Sequence, residues 1–199
     1  LDPNAICEDQ QTVGAADLVL DGVLVIGGVG VLDQSRQLEM ESLGNLAGVD
    51  FTFVGTNAAG QVVTETVIGP NAGVQATVRD DWATITQISV DGAVGTDVEI
   101  GTNGVGGSQV VPLDRSVTPF NVSLFVDITG TVNATAQFTF DPILEEGQVG
   151  PFVWSDHVDL TAVVADADGT FISPVTACRL LTNSGVGTAI LRIIQAGIV

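Results

Sequence analysis

The sequence predicts an all-β protein made of two tandem β-sandwich units with an extended N-terminal arm. Three observations carry that reading. Helical periodicity is almost missing, alternation of period two runs long, and similar strand–turn–strand figures recur at fixed offsets.

Residues 1–33 read as an arm or strand. Pro3 and Gly14 punctuate it, and Asp17–Ile26 (DLVLDGVLVI) then runs apolar. So hydrophobic a segment has to be covered, by adding to a sheet or by docking on a neighbouring subunit. Leu18, Leu20, Val23, Leu24 and Val25 are its expected interface residues. The first sandwich unit is placed at 34–103. Within it Leu38–Leu43 (LEMESL) is the one stretch fit for a short helix or turn, although it could also be extended. Asp50–Val54 and Gln61–Ile68 flank a glycine- and asparagine-bearing turn, and Ala83–Val90 and Asp97–Thr102 flank Asp91-Gly92. Each pair reads as a hairpin.

A glycine-rich linker, 103–108, leads to the second unit at 109–199, which carries a long insertion at about 141–170. Val122, Leu124, Val126 and Ile128 share one face of a strand; after Gly130, Val132, Ala134, Ala136, Phe138 and Phe140 share one face of the next. These also read as a hairpin. Val175–Thr182 and Thr188–Ile194 around 183–187 read as another, and Asp168-Gly169 as a tight turn. Ile88–Thr96 aligns with Leu180–Thr188 at an offset of 92, and Phe53–Pro70 with Phe125–Pro142 at 72, so the two units read as related copies.

Composition narrows the function classes. Among 199 residues, 24 acids face five arginines and no lysine, for a net charge of −19, yet 45% are hydrophobic. With mean hydropathy +0.44, this is a core-forming chain and not a disordered acidic tail. No basic patch exists to displace phosphate counterions, which excludes nucleic acid as an electrostatic partner and argues against anionic membranes. The longest apolar run, Val23–Leu32, falls short of the roughly 20 residues a spanning helix needs. No basic segment precedes it in the manner of a secretion signal. Cys7 and Cys178 lie near opposite ends and read as two buried thiols in preference to a bridge.

No constellation reads as catalytic. The lone histidine stands in Ser155-Asp156-His157 with Asp159 nearby, but strand neighbours point to opposite faces, so a triad is not supported. Asp166-Ala-Asp168-Gly169 is like the opening of a calcium loop without its remaining ligands. Asp80-Asp81 reads as a solvated pair. The glycine-rich 26–30 and 101–107 lack the strand-to-helix setting of a phosphate loop. The expectation is therefore a chain that is not an enzyme, with no catalytic residue, cofactor or metal. Within the insertion, 145–159 is expected as a second contact surface, with Phe152 and Trp154 as its aromatic anchors.

The run Leu46–Gly95 resembles a segment common in virion proteins of tailed bacteriophages. Gly48, Phe51, Phe53, Gly55-Thr56, Gly60, Thr64-Glu65-Thr66, Gly69 and Ala72-Gly73 carry the match. The stretches 101–114, 118–122 and 182–188, with Ile194–Gly197, are similar to small structural proteins of short-tailed phages. The resemblance implies immunoglobulin-like sandwiches and a structural role on the virion exterior. It implies a tail or neck accessory such as a collar or fibre-base component, with a capsid decoration protein as the alternative and a host-glycan adhesin as a further one. Implied partners are other virion proteins (tail, neck or major capsid); a homo-oligomer is expected on separate grounds, because units this small without a disulfide ladder gain burial by association. No active-site residue carries over.

Overall fold

The computed structural model describes residues 2–143 and 152–196, and all its regular structure there is β. No helix among these residues is long and apolar enough to cross a membrane. The chain divides into two compact units, Leu1–Gly106 and Gly107–Val199.

The first unit holds β1 (Asp2–Gln10), β2 (Ala16–Asp17), β3 (Val25–Ile26), β4 (Val29–Arg36), β5 (Leu38–Asn45), β6 (Asp50–Asn57), β7 (Val62–Ile68), β8 (Asn71–Ala76), β9 (Trp82–Val90) and β10 (Val98–Thr102). One sheet has the order β1-β10-β5-β8. The other runs β3-β4-β9-β6-β7, with β2 also on β9. Their inner faces share one core. Ile6, Cys7, Leu38, Met40, Val98 and Ile100 come from the first sheet; Phe51, Phe53, Trp82, Ile85 and Ile88 come from the second. All of these are fully buried, and each large side chain contributes about 1.5–3 kcal/mol by leaving water.

Several expectations are corrected here. Residues 1–33 add to the sheets, one of the two covers expected for them, and do not extend as an arm: β1 pairs with β10 and β4 with β9, and Ile6, Cys7, Leu18 and Leu32 sit in the core. Leu18, Leu20 and Leu24 are covered within the unit, whereas Val19, Val23 and Ile26 stay exposed. Leu38–Leu43 is strand, because Leu38, Met40 and Ser42 are buried while the residues between them face outward; pairing on both sides outweighs the helical propensity of Leu, Glu and Met. The pairing of β6 with β7 is the expected hairpin. By contrast β9 and β10 belong to different sheets, so Asp91-Gly92 opens a crossing between layers and does not close a hairpin.

The second unit holds β11 (Gly106–Gly107, at the junction), β12 (Val111–Pro112), β13 (Val122–Thr139), β14 (Ser155–Asp156), β15 (Ala167–Phe171) and β16 (Ala177–Gln195) in one six-stranded sheet. Neither expected hairpin exists. The chain continues as strand, without reversing, through Gly130 and through 183–187, and the two long strands pair with each other from Val122↔Gln195 to Thr139↔Ala177. Nor is Asp168-Gly169 a turn, since β15 pairs with β13 through Asp168↔Phe125 and Gly169↔Leu124. Segments that align at offsets of 72 and 92 thus have different topologies in the two units.

The glycines serve a bend. Gly130 stands opposite Gly187, and Gly185 opposite Val132; their φ angles are +94°, +141° and +109°. A Cβ on Gly185 would lie 2.0 Å from the Thr131 oxygen, and one on Gly187 2.1 Å from the Thr129 oxygen. Only glycine tolerates both that conformation and that approach. Between Asn133 and Ala134 the register skips Asn183, a bulge that adds to the bend. The two halves of the ribbon then face each other over a core of Val122, Leu124, Val126, Ala134, Ala136 and Leu180. One sheet supplies both layers.

Candidate functional site

In the second unit a cavity of about 320 Å³ opens where the two ends of the ribbon come together. Its wall is aromatic: Phe138 stacks edge-on to Phe140 at 5.5 Å and to Phe171 at 5.3 Å, and His157 packs on Phe171 at 5.0 Å. Exposed Phe140 and Ile172 widen the apolar mouth, and Asp156 and Asp159 are among its lining residues.

His157 is a structural member of this wall. Its Nδ1 accepts the Asp159 N–H at 3.2 Å, which leaves Nε2 to carry the proton and donate to the Thr170 carbonyl at 3.1 Å. Both ring nitrogens are thus committed to backbone, and Ser155 on β14 is exposed and not bonded to the ring. Gly169 makes room for the ring, since a Cβ there would meet His157 Cε1 at 2.7 Å and Leu160 Cδ1 at 3.0 Å.

Behind the cavity a network ties β14 to the ribbon. Arg179 donates through Nε and Nη2 to Gln137 Oε1 at 3.0 and 2.9 Å, and Gln137 Nε2 donates to Asp156 Oδ1 at 2.8 Å. The Arg179 guanidinium lies 4.3 Å from the Trp154 ring centroid, in cation–π contact. Sequence reading missed this network, although an arginine inside the apolar run Thr176–Leu181 was its signal, because a buried charge requires partners.

The expected interface residues separate. Leu18 is buried in the first unit's core, Leu20 and Leu24 pack against it, Val25 is half-buried in β3, and only Val23 is strongly exposed, at 76%. They serve mainly internal packing. Phe152 and Trp154 are half-buried on the second unit; the part of the expected contact surface at 145–151 lies outside the described residues.

The first unit presents a different concavity, of about 510 Å³, lined by Asp9, Glu41, Asp97 and Glu99 beside exposed Leu43. Glu41 and Glu99 are direct register partners across β5 and β10. Burial, together with the neighbouring Asp9, Glu41 and Asp2 carboxylates, raises the Glu99 carboxyl above its ordinary value. Ser42 is not free to act there: its hydroxyl donates to the Asp97 carbonyl at 2.6 Å. Among the described residues no group of three or more His, Cys, Asp or Glu could hold a metal ion. Asp166 accepts the Ile128 N–H just before β15 and Asp168 lies within that strand, so the pair does not curl into a calcium loop. Asp81 pairs with Arg79 at 3.0 Å. Cys7 and Cys178 are free and buried, and burial pushes each thiol up to about 12.

Compared with protein-family models, curated proteins and solved structures, the chain matches none.

Proposed function

We propose that this chain is a non-enzymatic structural protein of a tailed-bacteriophage virion. It acts on the exterior as a tail or neck accessory, such as a collar or fibre-base component, through subunit–subunit contacts. The observation that carries the reading is the resemblance of Leu46–Gly95 to virion segments, which implies immunoglobulin-like sandwiches. Its support in the fold is of a general kind. The regular structure of the described residues is all β, the one histidine is tied to backbone, and the aromatic cavity of the second unit is an apolar surface of the kind proteins bury in contacts.

Immuno-electron microscopy of purified particles tests this. Label at the tail or neck supports the reading. Label spread over the head would instead assign the capsid-decoration alternative, and unlabelled particles would overturn both.

A further inference from the structure

Strand β7 is the outer strand of the first unit's six-stranded sheet, so among the described residues one side of its backbone has no neighbour within that sheet. The bonds that flank the β6–β7 ladder identify the outward groups. Asn57 N–H donates to the Gln61 carbonyl at 3.0 Å and Gly69 N–H to the Val49 carbonyl at 2.9 Å, so the odd-numbered residues of this stretch bond toward β6. In an antiparallel ladder that direction alternates. The N–H and C=O groups of Val62, Thr64, Thr66 and Ile68 therefore face the open edge, and all four residues are exposed.

Natural sheets blunt such edges with lysine, proline, a bulge or a charge. β7 contains no lysine and no proline, and its register with β6 is unbroken. Its one charge is turned back on its own chain: the Glu65 carboxylate accepts Val78 N–H at 2.5 Å and Arg79 N–H at 3.1 Å. The edge is thus left able to receive another strand.

The sequence itself specifies which strand fits. Val62-Val63-Thr64-Glu65-Thr66-Val67-Ile68 reads almost identically in both directions about Glu65. Laid antiparallel on a second copy with a two-fold axis at Glu65, Thr64 meets Thr66 and Val62 meets Ile68. These are the outward residues, so each such pair exchanges two backbone hydrogen bonds. Val63 meets Val67 on the core side, and threonine pairs and β-branched aliphatic pairs are both favourable across strands. We infer that β7 is the self-complementary edge of a two-fold homodimer, which joins two six-stranded sheets into one continuous sheet. Like charges meet only at Glu65, and each copy carries a net charge of −19, so the association strengthens as salt screens that repulsion. This inference names one contact for the subunit-contact reading, yet it holds or fails on the chain alone, without particles.

Sedimentation equilibrium of the full chain over a concentration series tests it, alongside Thr64→Pro and Val62→Lys. The proline removes an outward N–H without touching the β6 ladder, and the lysine puts a charge on the edge. The expected wild-type mass rises from 20.4 kDa to twice that value, more readily in high salt, and each variant raises the dissociation constant at least about ten-fold. Amide exchange of the wild type keeps the test independent of how the variants fold. Val62, Thr64, Thr66 and Ile68 amides are expected to slow on concentration while Val63, Glu65 and Val67 stay protected throughout. A mass of 20.4 kDa at every concentration, an assembly unaffected by both folded variants, or edge amides indifferent to concentration would each overturn the inference.

Discussion

Phe138 and Phe171 stack edge to face with ring centroids 5.3 Å apart, although Phe171 pairs with Val122 at the far end of the strand that carries Phe138. Sixteen residues of straight strand would separate those ends by about 50 Å. The contact exists because the β13–β16 ribbon folds back at Gly130, Gly185 and Gly187.

Substitution at the bend is therefore expected to be severe. Gly185→Ala combines a φ of +109° with a Cβ 2.0 Å from a backbone oxygen, and a loss of about 2–4 kcal/mol is expected in denaturant unfolding of the second unit. Gly48→Ala, where a Cβ meets open space, is expected to stay within about 0.5 kcal/mol. Equal effects would remove the bend's special role.

The two thiols lend themselves to a chemical test. With both pushed from the ordinary 9.0 to about 12, the native protein at pH 8 is expected to resist iodoacetamide at Cys7 and Cys178, and to react fully once unfolded. The linkage has a definite sign. Above about pH 9 the unfolded chain loses thiol protons that the folded chain retains, so stability falls as pH rises from 9 toward 12. Rapid native alkylation would contradict the burial of both groups.

Between β5 and β10, Glu41 and Glu99 oppose like charges. Glu41→Gln is expected to lower the Glu99 carboxyl toward its ordinary value and to stabilise the first unit at neutral pH, by only about 0.3 kcal/mol because solvent screens the pair. A raised carboxyl means that this unit loses stability as pH climbs through the carboxylate range. NMR titration of Glu99 in both forms reads the effect, and an unmoved Glu99 would refute the coupling.

Arg179 is buried, with 5% of its surface exposed. Removing one of its acceptors by Gln137→Leu is expected to cost about 1.5–3 kcal/mol in thermal or denaturant unfolding, and to loosen Trp154, whose fluorescence shifts to the red. A silent substitution would show that Arg179 draws its support from elsewhere.

How much of this was legible in the sequence depends on what each signal can mean. Period-two alternation identified the strand faces, and the turn expected at 55–60 marked a true hairpin. Glycine was the ambiguous letter. At Gly60, φ +77° closes a turn, whereas at Gly130 and Gly185 the same freedom lets two backbones approach and bend without reversing. Only the pairing partner distinguishes the two, and it lies more than fifty residues away. The apolar stretch near Leu18 announced that it needed cover but not that β9 would supply it. The ties of His157 and Arg179 join distant strands, so their residue types raised the question and the folded chain supplies the answer.

The most direct test of the structural-protein reading is quantitative mass spectrometry of density-purified particles. Expected is this chain at one fixed stoichiometry, low if the tail or neck holds it and lattice-wide if the capsid does, and stripped by external protease while the packaged genome stays intact. Particles that are complete and infectious without it would contradict the claim.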